Sequence, residues 1–307
     1  MTDIDLIRIN FEPEKLVLLN FILGFLTFGV ALDIRFDDFR TIFRQPKKII
    51  VGLISQWLLL PVFTLILIFF FQPPASVALG LALIAACPGG NVSNYATHLA
   101  RGNTALSVAM TSFVTLAALV STPMIFGIVT QLVPATAELL EKIALDPFAV
   151  LTTIVQLIII PLALGLYLGN RKPNLANYIR RPAQIFSLVI FVALIVGAVL
   201  GNIDAILNHL HHVFLIVIVH NCFAYIIGYY FAKANKLPEP DRRTIAIETG
   251  IQNAGLGLVI IFGFFQELGG MMLVAAWWGV WDLISVFLLG IYWNKKGLST
   301  KVAETNV

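Results

Sequence analysis

Apolar side chains run almost without interruption for about twenty residues at a time, and polar positions gather in the gaps between the runs. A helix needs about 20 apolar residues to cross a hydrocarbon layer of roughly 30 Å. Nine stretches meet that length: 15–33, 49–71, 75–100, 103–131, 147–169, 182–202, 212–234, 240–266 and 271–293. The runs are continuous rather than alternating, which excludes a transmembrane β-barrel. The pattern therefore predicts an all-α polytopic membrane protein with nine transmembrane helices.

Composition points the same way. Of 307 residues, 59% are hydrophobic and 12% charged, where a soluble domain carries about 25% charged residues. The same figures are the reverse of a disordered chain. Cys87 and Cys222 lie inside apolar runs, so neither a disulfide framework nor a cysteine metal site is expected. The first residues, Met1-Thr2-Asp3-Ile4-Asp5, are acidic and lack a basic n-region, which predicts no cleavable signal peptide.

The distribution of charge tests the span count. Between spans 1 and 2 stand Arg35, Arg40, Arg44, Lys47 and Lys48. Arg101 follows span 3, and Arg171, Lys172, Arg180 and Arg181 follow span 5. Lys233, Lys236, Arg242 and Arg243 follow span 7, and Lys295, Lys296 and Lys301 lie in the tail. All fall on one side of a nine-span topology and make up 17 of the 20 Lys and Arg, leaving Arg8, Lys15 and Lys142 opposite. The positive-inside rule then predicts a cytoplasmic C-terminus and an external N-terminus in a cell (inner) membrane. His209, His211 and His212 read as a solvated outer loop, since no Cys or carboxylate cluster accompanies them. Asp37 to Arg44 reads equally as an amphipathic helix on the inner face or as a polar connector.

Two spans resist continuous helix. In the third, Cys87-Pro88-Gly89-Gly90-Asn91-Val92-Ser93-Asn94 puts a proline and two glycines at mid-depth. Pro88 removes a backbone donor and pushes Cys87 out of the α region, and Asn91 suits the N-cap of a restarted helix. In the eighth, Glu248-Thr249-Gly250-Ile251-Gln252-Asn253-Ala254-Gly255 clusters a carboxylate, two amides and glycines near the centre. A central acid costs about 2.5–3.5 kcal/mol and marks a functional site by default. If spans 1–4 and 5–9 are two halves, the first lacking a leading helix, the breaks fall at matching places, as in transporters built from inverted repeats.

These stretches, together with Leu99-Ala100-Arg101-Gly102-Asn103-Thr104-Ala105-Leu106-Ser107, resemble the signatures of the bile acid:sodium symporter family over essentially the whole chain. The resemblance implies a single transporter domain over 1–307, with a panel (about 15–33 and 147–202), a core (about 49–131 and 212–293) and broken helices crossing at mid-membrane. It implies a first sodium site of Ser93, Asn94, Ser107, Thr111 and Glu248. A second would use Gln56, Glu248, the carbonyls of Thr249 and Ile251, and Gln252. By the same resemblance sodium is expected as the coupling ion, and no cofactor is expected. Asn91 and Asn253, at the starts of two half-helices, are expected to donate to an organic anion such as a bile salt or a small hydroxy or keto acid. Asp282, also expected at the substrate cavity, stands where a bacterial relative carries His-Asn after the tryptophan; this departs from classical bile-salt recognition and reads as a different substrate (a hydroxylated or zwitterionic acid), as a residue facing a cytoplasmic vestibule, or as a buried carboxyl paired with a neighbouring helix. Trp277, Trp278 and Trp281 read as lining a cavity, and Trp293 as an interface anchor.

The function read from the sequence is therefore a sodium-coupled symporter of an organic anion, acting by alternating access in the bilayer and not on nucleic acid. It is not an enzyme: the span histidines His98 and His220 sit in no hydrolytic motif. A proton-coupled antiporter or sodium-independent carrier is the alternative, though the adjacent Asp pair expected of such antiporters is missing. A membrane receptor is a further one, but it requires no interrupted helices. The sequence selects no oligomeric state.

Overall fold

The computed structural model describes residues 44–90, 92–142, 155–172, 174–179, 203–265 and 268–305, with scattered positions in 21–34, at 152 and in 182–193. Regular structure among them is helical throughout, without strands. The elements are α1 (Pro46–Phe71), α2 (Ala75–Ala86), α3 (Val92–Leu99), α4 (Thr104–Gln131), α5 (Pro134–Lys142), α6 (Ile160–Arg171), α7 (Ile203–Ala234), α8 (Glu239–Gly250), α9 (Ala254–Phe264) and α10 (Gly269–Thr305). Among the described residues, five stretches are long and apolar enough to cross a membrane: Pro46–Phe71, Thr104–Gln131, Val213–Ala234, Glu239–Phe264 and Gly269–Lys295. The chain is a multi-pass membrane protein. The 15–33 and 182–202 runs, Asp37–Phe43 and Asn91 fall wholly or mostly outside the described residues.

Local chemistry sets the helix ends. Pro46 starts α1, where its missing N–H is not needed, and Gln72 stops it in a left-handed conformation at φ 46°. Within α1, Ser55–Leu59 forms a π-turn, and a π-turn lies at Val155–Ile159 just ahead of α6. Such turns rotate the side chains after them out of regular helical register. Helix α2 ends at Ala86, with Cys87 extended ahead of Pro88, and helix resumes at Val92. Helix α8 ends at Gly250, and α9 begins at Ala254 behind the cap residue Asn253.

Two sequence expectations need correction. The His209–His212 segment lies within α7, not in a loop. No Gly or Pro interrupts 203–212, and Ile203, Ile206, Leu207 and Leu210 keep helical spacing ahead of the apolar run. Beyond α4, Pro134 opens α5, and Thr136 Oγ1 donates back to Thr130 O at 2.6 Å. Trp293 is no lipid anchor, being 9% exposed. It stacks on Tyr229 at 5.9 Å and lies under the Arg243 guanidinium at 5.8 Å.

Helix α2 is buried along nearly its whole length, as a helix apolar on every face must be. It packs on α10, where a Cβ at Gly80 would lie 2.8 Å from Val274 Cβ and 3.0 Å from Met271 Cα. Leu79, Ile84, Leu258, Phe262, Met271 and Trp278 belong to the core built there. Helix α6 packs against the described part of the first span, with Gly165 against Ala31 and Gly169 against Leu32.

At the Lys- and Arg-rich end, polar side chains tie α1, α4, α8 and α10 together. Asp241 takes Lys48 Nζ at 2.7 Å and Asn103 Nδ2 at 2.7 Å. Arg243 donates to Glu239 at 3.0 Å, Ala100 O at 2.9 Å and Trp293 O at 3.2 Å. Asn103 also caps α4 by accepting from Leu106 N at 3.1 Å. Asn103→Ala removes both a cap and a partner of a buried carboxylate, and is expected to cost about 2 kcal/mol. A drop of several degrees in the melting temperature of detergent-purified protein checks this.

Candidate functional site

The two places where helix stops meet. Asn253 N donates to Pro88 O at 2.8 Å, so each interrupted backbone meets part of the other's need for partners. Beside Gly90, a Cβ would lie 3.7–3.9 Å from Ile251, Gln252 and Asn253. Asn253 Oδ1 accepts from Leu256 N at 3.0 Å, and this cap uses only the oxygen of the amide, leaving its NH2 to donate elsewhere.

Glu248, two residues before the end of α8, is fully buried. Ser93 Oγ donates to its Oε1 at 2.6 Å, and the Ser107 hydroxyl lies against the same oxygen. Thr111 Oγ1 stands 3.1 and 3.0 Å from the two carboxylate oxygens and 3.2 Å from Ser93 Oγ. Asn94 Oδ1 closes the group at 2.9 Å from Ser107 Oγ and 3.4 Å from Thr111 Oγ1. Each position follows from its element. Ser93 and Asn94 open α3, while Ser107 and Thr111 are four apart and share a face of α4. All five residues expected at a first sodium site are thus brought together, with oxygens turned inward and no basic side chain among these contacts.

Of the residues expected at a second site, Gln56 faces the Oε2 of the carboxylate across Gly89. A Cβ at Gly89 would sit 3.1 Å from Glu248 Oε2 and 3.6 Å from Gln56 Nε2. A side chain at position 89 would therefore fill the space between carboxylate and amide. Gln56, in the π-turn of α1, is fully buried, and neither its oxygen nor its nitrogen has a hydrogen-bond partner. Gln252 donates to Thr249 O at 2.9 Å, while its own buried Oε1 has no partner. Buried amide oxygens without donors are costly, and a hard cation that takes oxygen ligands would relieve them. The oxygens of Glu248, Gln56 and Gln252 are therefore of the kind that takes a hard cation such as Na⁺.

Sequence reading missed several residues that hold this arrangement. Ser55 Oγ pairs with Thr249 Oγ1 at 2.8 Å, joining α1 to α8. Asn221 of α7 donates to Gly250 O at 2.8 Å, capping the end of α8. The signal available for Asn221 was an amide inside an otherwise apolar span. His220 beside it bonds Thr64 Oγ1 at 2.6 Å and packs edge-on against Trp278 at 4.9 Å, so it is a packed core residue. Asp282 lies on α10, 5% exposed. Asn91 is outside the described residues.

Comparison with known proteins gives a consistent picture. The model of the Sodium Bile acid symporter family matches residues 20–209. The chain is 34% identical over 274 residues to the uncharacterized sodium-dependent transporter YocS of Bacillus subtilis (strain 168), covering 89% of this chain and 82% of that one. It is 33% identical over 285 residues to the probable sodium/metabolite cotransporter BASS5, chloroplastic, of Arabidopsis thaliana, covering 89% of this chain and 68% of the relative.

Proposed function

Because the chain belongs to the sodium bile acid symporter family, a family of sodium-dependent membrane transporters and not of enzymes, we propose that it is a symporter taking up an organic anion by alternating access. Two sodium ions drive each cycle. The first is held by Ser93, Asn94, Ser107, Thr111 and Glu248, the second by Gln56, Glu248, Gln252 and the carbonyls of Thr249 and Ile251. Nine helices span the cell membrane with the N-terminus outside, and the core (49–131, 212–293) moves against the panel (15–33, 147–202).

The observation that carries this reading is a fully buried carboxylate in a shell of oxygens contributed by two other helices, α3 and α4. A buried charge without a partner is costly, and sodium supplies that partner. Two sodium ions against one carboxylate leave about one positive charge, and the N-terminal ends of α3 and α9 add roughly +0.5 each before screening. An anionic group is favoured at that place, with Asn91 and Asn253 donating to it and Asp282 lining the cavity.

Purified protein is expected to melt about 5 °C higher in saturating sodium than in potassium at equal ionic strength, since binding only the folded state stabilises it. Identical melting in the two salts would sink the proposal. Gln56→Leu should weaken the sodium dependence about tenfold without abolishing it, because only one of the two ions loses a ligand; an unchanged half-saturation concentration would remove Gln56 from the site.

A further inference from the structure

Helix α3 has two unlike faces. Ser93, Ala96 and Thr97 are buried, whereas Tyr95 is 66% exposed, His98 is exposed and Asn94 is half-buried. Asn94 and His98 are four apart and share the open face, and Arg101, also exposed, follows just past the helix end. This face lies at membrane depth. The helix starts at the crossover, where Ser93 meets Glu248, and then runs beside α10. Tyr95 packs edge-on against Phe287 at 6.2 Å, a Cβ at Gly290 would lie 3.1 Å from Leu99, and Arg101 Nε donates to Asn294 Oδ1 at 2.9 Å. Phe287, Gly290 and Asn294 all belong to the membrane-crossing stretch Gly269–Lys295. Polar and ionisable side chains at such depth face protein or a water-filled cavity rather than lipid. Since these side chains are exposed, the cavity is what remains.

The row offers donors and one uncompensated charge. Asn94 gives its Oδ1 to the ion cage, accepting from Ser107 Oγ at 2.9 Å, which leaves the amide NH2 outside the cage. His98 adds a ring N–H. Arg101 is partnered by the neutral amide of Asn294, and among the described residues no carboxylate pairs with it. The acids of that end are engaged elsewhere: Asp241 by Lys48 and Asn103, Glu239 by Arg242, Arg243 and Tyr229. Packing does not account for an arginine here. Its backbone is left-handed at φ 55°, and Gly102 N closes the helix on Thr97 O at 2.8 Å, an arrangement in which position 101 favours glycine. A cation does suit the C-terminal end of a helix, but α3 already has one in Arg243, which donates to Ala100 O at 2.9 Å.

We propose that the open face of α3 is the route by which the anionic group of the cargo passes between the crossover and the Lys- and Arg-rich side. It moves from the Asn94 NH2 past His98 to Arg101, whose guanidinium receives it at the rim. This rests on the symport reading above, and it adds residues that belong to neither ion site, His98 and Arg101. The planar fork of a guanidinium matches a carboxylate or sulfonate with two parallel N–H bonds, and a single bond to a neutral amide is readily exchanged for that pair.

Charged thiol reagents test the route before any cargo is identified. The background is Cys222→Ser, in which the remaining Cys87 is buried. In inside-out membrane vesicles, His98→Cys should react with anionic sulfonatoethyl methanethiosulfonate and with cationic trimethylammonioethyl methanethiosulfonate, and Tyr95→Cys likewise. Relative to their rates on a free thiol in solution, the anionic reagent should be favoured about tenfold at position 98. Adding Arg101→Gly should bring that preference to within about twofold, whereas Arg101→Lys should keep most of it. Arg101→Gly should melt no lower than the unaltered protein in potassium, because glycine suits that backbone, which shows that the variant is folded. The inference is overturned if His98→Cys reacts with neither reagent, as a face turned to lipid would, or only from the outer side. It is equally overturned if the anionic reagent is not favoured, or if Arg101→Gly leaves its preference intact. Absence of a sodium-dependent melting shift in the unaltered protein strikes the symport reading instead, while the labelling still reports the route.

Discussion

Glu248→Gln is expected to reduce sodium-dependent uptake in vesicles by about 100-fold or more, while the purified variant melts in potassium no lower than the unaltered protein. The substitution keeps the shape of the side chain, so Ser93, Ser107 and Thr111 retain a carbonyl oxygen to donate to. What it removes is the one formal negative charge in those contacts. With both proposed ions sharing that carboxylate, each loses its charge partner at a buried position where water cannot substitute. Without sodium the sign reverses, since the fold no longer carries an uncompensated buried charge. The combined signature, unchanged or raised stability in potassium with no response to sodium, separates an ion ligand from a merely structural acid. A variant that still gained its full melting shift from sodium would remove Glu248 from the ion site.

Gly228→Ala is expected to destabilise the protein by about 3 kcal/mol, whereas Gly127→Ala should stabilise it by about 1 kcal/mol. Both glycines lie inside long helices, where alanine is intrinsically the better residue by about 1 kcal/mol. The contrast comes from what surrounds them. A Cβ at 228 would stand 2.8 Å from both Ala246 Cα and Ile245 O, and 3.0 Å from Thr249 Oγ1. Backbone cannot yield as a side-chain tip can, so α7 and α8 would have to separate, at a cost typical of overpacking. That separation would also loosen the Ser55–Thr249 and Asn221–Gly250 bonds that hold the end of α8, and activity should fall with stability. Beyond its own helix, a Cβ at Gly127 would meet none of the described residues within 4 Å, and only the helical preference remains. Opposite shifts in melting temperature check the pair; equal shifts would mean that α7 and α8 do not approach so closely.

Much of this was legible in order along the chain because the controlling physics is local. Pro88 with Gly89 and Gly90 forbids regular helix whatever packs around it, and α2 stops at Ala86 as that requires. Ser107 and Thr111, four apart, share a face as soon as the segment is helical. Resemblance to a family then grouped these residues with Glu248, a grouping that spacing alone does not supply. Elsewhere the local reading fell short. The histidines at 209–212 looked like loop because they are polar, but unbroken helical spacing carries α7 through them. Trp293 looked like an interface anchor because of its position near a span end, yet Arg243 and Tyr229 enclose it. The π-turn that contains Gln56 has no sequence signature, and Asn221 is one amide in an apolar run whose partner lies 29 residues away.

By itself, then, the sequence determined that the chain lives in a bilayer, where its helices break and which acid sits at depth. Hydropathy and backbone preference are properties of short stretches and survive any packing. Only the tertiary structure decided which oxygens surround Glu248, and that the amide oxygens of Gln56 and Gln252 are buried without donors. Those facts are contacts between residues up to 194 positions apart, and such contacts exist only once whole helices have packed against one another.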